Sequence, residues 1–253
     1  MPVSRSVRRS TIGSSDSGVG ASLARRLASE GYALWLFARR EDRLYDLVAE
    51  LTNQGHTATA VVMDIRDTDR VAAEIRRIDE QCGGLDLIVA NAGTASGKGF
   101  LAWEGAQETI ETNFLGAAAT LLAVAPAMKA RKRGHLVAIS SLASEVPLPI
   151  MGTYGASKAG LSHLMLAIRP LLAPHGVDVT VVHPGFIDTE MTRGAPFPLP
   201  FLMDADRAAR IISDGIRAKK RLLRFPLGTW LLVSLLRLLP QFVLDRIWKR
   251  VLG

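Results

Sequence analysis

The stretch GSSDSGVGASLARRLASEGYALWLFARR, residues 13–40, reads in three parts. A turn bearing Gly13, Gly18 and Gly20 opens a helical pattern over about 19–30, whose Ala21, Leu23, Ala24, Leu27 and Ala28 fall on one face. A run of apolar residues follows, Tyr32 to Ala38, and stops at Arg39 and Arg40. Glycines let a backbone approach a pyrophosphate closely, and the helix that follows offers free N–H groups and the positive end of its dipole. A Gly-rich turn alone is weak evidence; its place before a helix, some twenty residues ahead of a strand end, strengthens it.

Working outward, the same alternation continues. Thr57 to Met63 ends in Asp64, Leu85 to Ala90 in Asn91-Ala92-Gly93, His135 to Ile139 in Ser140-Ser141, and Val177 to Val182 in His183-Pro184-Gly185. These runs are continuous rather than alternating, as strands buried on both faces of a parallel sheet are. Helical patterns over about 41–54, 67–81, 103–131, 153–173 and 204–219 separate them. The pattern predicts an α/β chain: one doubly wound Rossmann-type domain over 1–253, a parallel sheet with helices on both faces. Ligands of such sheets sit beyond the carboxyl ends of the strands, where every unusual cluster named above falls.

The first strand is the weak point. It should precede Gly13 and be strongly apolar, yet Ser4 to Thr11 includes Arg5, Arg8 and Arg9. Burying two unpaired arginines in a central strand costs several kcal/mol. Either this strand is short and ragged, or an altered start has replaced it.

The 253 residues carry a formal charge of +7, unevenly placed. From Arg207 to Gly253 there are eleven Lys/Arg against Asp214 and Asp245, so most of the remaining chain is mildly acidic. No basic stripe interleaved with aromatics and no nucleic-acid-reading motif is present, which argues against a nucleic-acid partner. Cys82 is the single cysteine, so no intramolecular disulfide forms, and the five histidines show no metal-ligand spacing. No secretory signal pattern opens the chain, and a cytoplasmic protein is expected.

At the end of the second apolar run, a carboxylate would hold the adenosine ribose hydroxyls and repel a 2′-phosphate. Arg39 and Arg40 stand there instead, and guanidinium groups suit phosphate. NADP(H) is favoured and NAD(H) stays open, with Asp16 in the turn weighing against the phosphate.

Ser141, Tyr154 and Lys158 carry the candidate chemistry. Tyr154 and Lys158 share one helix face at i and i+4. A phenol titrates near ~10, and an adjacent ammonium favours its anion. Tyr154 then protonates a carbonyl oxygen as hydride arrives, or deprotonates an alcohol in reverse, while Ser141 stabilises the developing charge. Taken by itself, a Tyr and a Lys one turn apart are an ordinary surface pair.

The pair has company. In order along residues 13–192 come Gly18-Val19-Gly20, Asp64-Ile65, Asn91-Ala92-Gly93, Asn113, Ser140-Ser141, Tyr154 with Lys158, and Pro184-Gly185 with Thr189. This sequence resembles the short-chain dehydrogenase/reductase family, including the thirteen-residue interval from Ser141 to Tyr154. The resemblance implies that Tyr154 is the general acid/base and Lys158 the holder of the nicotinamide ribose. It makes Ser141 the carbonyl-polarising serine and Asn113 the helix-bending asparagine that supports a water relay. It also implies that Asp64 and Ile65 flank the adenine, that Asn91, Ala92 and Gly93 border the cofactor, and that Ile187 and Thr189 meet the carboxamide beside Pro184-Gly185. Gly13, Ser14, Ser17, Gly18, Val19 and Gly20 then form the pyrophosphate turn. One departure stands out: four residues separate Gly13 from Gly18 where the family has three, and Ser14 takes the first-glycine position. Members are often dimers or tetramers, so a homo-oligomer is implied.

Residues 190–224 read as a loop and helix covering the substrate, with an apolar Pro/Phe-rich stretch from Gly194 to Met203 that suits an apolar substrate or simple lid packing. Residues 225–253 form an apolar, basic helical extension. Phe225 to Leu236 lacks charge but is too short to span ~30 Å of hydrocarbon. The extension suits a membrane surface, a cap on the substrate cleft, or a subunit interface, which would make the protein membrane-peripheral in the first case. The expected function is hydride transfer between NADP(H) and a ketone, aldehyde or secondary alcohol. The competing class is a non-catalytic Rossmann-like binding protein with an impaired cofactor site.

Overall fold

The computed structural model describes residues 7–13, 15–95, 102–193, 195 and 198–252. Seven strands form one sheet: β1 Arg8–Gly13, β2 Tyr32–Ala38, β3 Ala58–Val62, β4 Leu87–Ala90, β5 Gly134–Ile139, β6 Val177–Pro184 and β7 Leu222–Phe225. Their order is β3-β2-β1-β4-β5-β6-β7, and every pairing is parallel. The order reverses between β1 and β4, which opens a crevice at the carboxyl ends of those two strands.

Helices cover both faces, as expected of buried parallel strands. On one side α1 Gly18–Ser29, α2 Glu41–Asn53 and α8 Ala205–Arg217 pack around Ile12, Leu27, Leu36 and Ile212. On the other lie α3 Thr68–Gln81, a composite helix and α7 Gly152–Leu172, around Ile75, Ile88, Leu121, Leu136 and Leu161. The composite helix consists of α4 Trp103–Ile110, a π-helical turn over Glu111–Gly116, α5 Ala117–Leu122 and α6 Ala125–Ala130. The chain ends in α9 Leu227–Arg237 and α10 Gln241–Leu252, which share a smaller core with Leu142 and Val146.

β1 is the ragged strand. Its arginines stay out of the core because they occupy the first two positions, at the strand's amino end. Arg8 lies 4.1 Å over the Tyr32 ring and donates from Nη2 to the Glu30 carbonyl at 2.6 Å. Only Ser10 onward is buried; Ser10 Oγ donates to the Thr11 carbonyl, whereas Thr11 Oγ1 has no partner among the described residues.

One boundary needs correction. Residues 222–224, expected in the covering segment, belong to the sheet: Leu222 to Phe225 pair with Val181 to Pro184, so the extension starts at Pro226 rather than Phe225. A four-residue strand at the sheet margin with the charged Arg224 facing outward carries too little apolar signal to be seen in sequence. The expected helix over 103–131 is present as the run Trp103–Ala130, which includes a π turn containing Asn113.

Candidate active site

The crevice is a cleft of about 460 Å³ that collects residues from six strand ends and loops. Gly13, Ser17, Arg39, Arg40, Asp64, Ile65, Ala92 and Gly93, expected at the site from sequence, line it together with Asp16. Thr94, Ala95, Glu190 and Met191 line it as well and were not expected. Ser14 lies outside the described residues, as do Gly194, Pro196 and Phe197 of the covering segment.

Gly18 opens α1 at φ +52°, a left-handed backbone that side-chain-bearing residues rarely adopt. A Cβ there would sit 2.9 Å from Thr189 Cγ2, so the turn and the segment after β6 touch at a point where only hydrogen fits. Val19 and Gly20 lie in the first turn of α1 behind it. The N-terminal amides of α1 therefore present an open backbone surface of the type that takes a pyrophosphate. Cleft volume and the bare glycine turn together fit a bound dinucleotide.

The two arginines at the end of β2 differ in freedom. Arg40 Nε is ion-paired with Asp16, its Nη1 donates to Glu190 at 2.7 Å and its Nη2 to Ser17 Oγ at 2.7 Å. Arg43 also binds Glu190, and hydrogen bonds from Arg40 and Arg43 hold that carboxylate down to about 2. Arg39 makes only a 3.7 Å approach to Asp64, whose stronger partner is Arg66 at 2.6 Å. Arg39 is thus the guanidinium available to a ligand, while Arg40 ties the glycine turn to Glu190.

At the other end, α7 and the strand ends bring the chemical group together. Ser141 Oγ accepts the Ala143 amide at 3.1 Å, and its hydroxyl favours the anionic form of the Tyr154 phenol. Burial raises Tyr154 above the usual phenol value, and the Ser141 hydrogen bond opposes that rise. Lys158, 3% exposed, is pushed down to about 8 by burial. Its Nζ donates to the Ile139 carbonyl at 2.9 Å and lies near Gly93, where an added Cβ would be 3.1 Å away. The ammonium effect on Tyr154 expected from sequence is not among the influences on that phenol. Asn113 accepts the Thr94 amide at 2.7 Å and donates to the Thr94 carbonyl at 2.9 Å and to Ser157 Oγ at 3.1 Å. The π turn aims this fully buried amide at the loop after β4, so it fixes the loop against α7.

Gly18, Val19, Gly20, Asn91, Asn113, Ser141, Tyr154, Lys158, Pro184, Gly185, Ile187 and Thr189 do not line the cleft, although Lys158 borders it through Gly93. Gly185 packs instead against Pro226 and Thr229, and Ile187 bridges to Met203. Beneath the site lies a buried polar chain that sequence reading missed. Glu145 accepts from Arg224 at 2.6 Å and pairs with His183 Nδ1 at 2.5 Å; His183 Nε2 meets Ser162 Oγ at 2.9 Å. Ser162 and Ser140 both donate to the Lys158 carbonyl at 2.9 Å. An acid inside the largely apolar 142–148 stretch was its visible sign.

Residues 11–196 match the family model described as short chain dehydrogenase. An uncharacterized oxidoreductase of Myxococcus xanthus is 39% identical over 249 residues, covering 97% of this chain and 98% of the relative. Among solved structures, a short-chain dehydrogenase from Sphingobium yanoikuyae in complex with NADPH aligns with a TM-score of 0.80 and 27% identity, over 94% of this chain and 95% of the other. A metagenomic short-chain oxidoreductase in complex with NADP aligns at 0.74 and 29% identity, over 88% and 99%.

Proposed function

The chain belongs to the short-chain dehydrogenase family, and from that premise we propose that it is an NADP(H)-dependent oxidoreductase acting on an apolar ketone, aldehyde or secondary alcohol. The observation that carries this reading is the grouping of Ser141, just after β5, with Tyr154 and the buried Lys158 one helical turn apart on α7. NADP(H), when bound, supplies or accepts the hydride. Gly13 and Ser17, with Gly18 and the α1 amides behind them, would hold its diphosphate, Asp64 and Ile65 would border the adenine end, and Arg39 would meet a 2′-phosphate.

Within this scheme Tyr154 Oη gives its proton to the carbonyl oxygen in reduction and takes it back in oxidation. Ser141, its lone pair already satisfied by Ala143, donates to the same oxygen and stabilises the charge that develops there. Lys158 would hold the nicotinamide ribose. Asn113 keeps the loop after β4 and α7 in fixed relation, which maintains the mutual placement of Gly93 and Lys158. The covering segment leads to exposed Phe201 and Leu202, consistent with an apolar substrate. Exposed Leu115, Leu122 and Leu171 on the composite helix and α7 support assembly into a homo-oligomer. We place the protein in the cytoplasm, where its single thiol, Cys82, stays reduced.

Titration with NADPH and NADH, followed by thermal shift, tests the reading. NADPH should bind the more tightly, and Arg39→Ala should erase most of that preference while leaving NADH affinity unchanged. Absence of binding by either cofactor rejects the proposal, and an unchanged preference in the variant removes Arg39 from its role.

A further inference from the structure

α9 is apolar on its buried face and on most of its exposed face. One face packs inward through Thr229, Val233 and the half-buried Trp230 and Leu236. The other carries Leu227, Leu231, Leu235 and Leu238, which are 63, 54, 60 and 81% exposed. Their spacing of four, four and three residues puts them in a single stripe along the whole helix. Phe242, 73% exposed, extends the stripe onto α10, and the Phe201 ring joins its other end, since a Cβ on Gly228 would lie 2.6 Å from it. Large apolar side chains grouped this way on a soluble fold mark an interaction surface.

The charges beside the stripe select the occupant. On α10, Arg246 and Lys249 follow Phe242 at i+4 and i+7 on the same exposed face, with Arg250 next to them. Arg237 ends α9, and beyond Asp214 the only acid is Asp245, against nine Lys/Arg. A second copy of the chain docking on this face by two-fold symmetry would set these cations against their own mates. An anionic bilayer satisfies both halves at once, with leucines at the acyl boundary and cations among the phosphates. The helix does not cross: 11 residues span ~16 Å, about half of a hydrocarbon core. Nor does Trp103–Ala130, the described helical run with the length and apolarity to do so, because its Ala117, Leu121, Val124 and Met128 are core residues.

We propose that α9 and α10 form a docking surface for an anionic lipid bilayer, lying in the plane of its interface and holding the covering segment near the lipid. The proposal is independent of the reaction assigned above. It is tested by flotation of the full-length protein with vesicles of phosphatidylcholine, alone or mixed with phosphatidylglycerol. The protein should float with the mixed vesicles and much less with the neutral ones. Neutralising Arg246, Lys249 and Arg250 to Gln should weaken binding roughly fivefold per cation, on the order of a hundredfold together. Leu231→Glu with Leu235→Glu should weaken it by at least about tenfold. These positions are exposed, so melting temperature and NADPH binding should hold, which separates lost docking from lost fold. A full-length protein that floats with neither vesicle, or variants that float as it does, overturn the proposal. So does a leucine pair whose effect is to dissociate a dimer, which assigns the surface to a second copy.

Discussion

Glu145 is 6% exposed in its side chain and is the anion for three cationic or polar groups: His183 Nδ1 at 2.5 Å, Arg224 Nε at 2.6 Å and Arg237 Nη1 at 3.9 Å. Replacing it with alanine leaves His183 and Arg224 facing a small void with no acceptor. Breaking a buried pair from one side costs about 3–5 kcal/mol. Arg224 is 31% exposed and regains some water, which puts the expected loss near the lower limit, about 3 kcal/mol. Urea unfolding followed by circular dichroism should therefore show a midpoint lowered by about 1 M or more. Glu145→Gln, which keeps the shape and one acceptor, should lose less, about 1.5–3 kcal/mol. Acid adds a second check. Burial pushes the Glu145 carboxyl up, but His183 and Arg224 outweigh it, and the net shift is below the usual 4.5. A depressed carboxylate adds stability above its unfolded value and loses it as pH falls through the lower, folded one. The gap between the native protein and Glu145→Gln should thus hold at neutral pH and shrink as pH drops below 4.5. A loss under about 0.5 kcal/mol, the range of ordinary surface substitutions, would refute the reasoning. So would a gap insensitive to acid.

Gly18→Ala should destabilise the free protein by at least about 1–2 kcal/mol from its left-handed backbone, and the Thr189 contact adds to that. NADPH affinity, measured by fluorescence, should fall about tenfold or more, and an unchanged affinity would mean the turn does not meet the cofactor. Lys158 is ordinarily protonated to 10.5 but only to about 8 in the fold, so between those values the unfolded chain holds one proton more. Stability of the cofactor-free protein should consequently gain about 1.4 kcal/mol per pH unit across that window from this group. Subtracting the same denaturation series for Lys158→Met isolates it; parallel curves for the two proteins would contradict the burial of the amine.

Legibility in the sequence followed the physics of burial. β2, β4, β5 and β6 are covered on both faces, so their Leu, Ile, Val and Ala run continuously and announce themselves. β7 flanks the sheet with Arg224 turned outward, and its signal vanished into the tail. In β1 the misleading residues were Arg8 and Arg9, because no sequence pattern tells that a strand's first two positions stand outside the core. The chemical group was readable because Ser141, Tyr154 and Lys158 sit at fixed intervals along one strand end and one helix. Glu190 was not, since its meeting with Arg40 depends on how the segment after β6 folds back 150 residues away in sequence. The Glu145–His183–Ser162 chain was hidden for the same reason, its members coming from three separate elements.

The central claim is that Tyr154 is the proton-transferring group of an NADP(H) oxidoreductase, and Tyr154→Phe tests it most directly. The measurement pairs NADPH oxidation in the presence of a panel of aliphatic and aromatic aldehydes and ketones with an NADPH binding isotherm on the same samples. The account predicts a rate reduced by about 10²–10⁴ or more, the share of general acid catalysis, with the NADPH dissociation constant unchanged within a few-fold. A variant that oxidises NADPH at the native rate would contradict it.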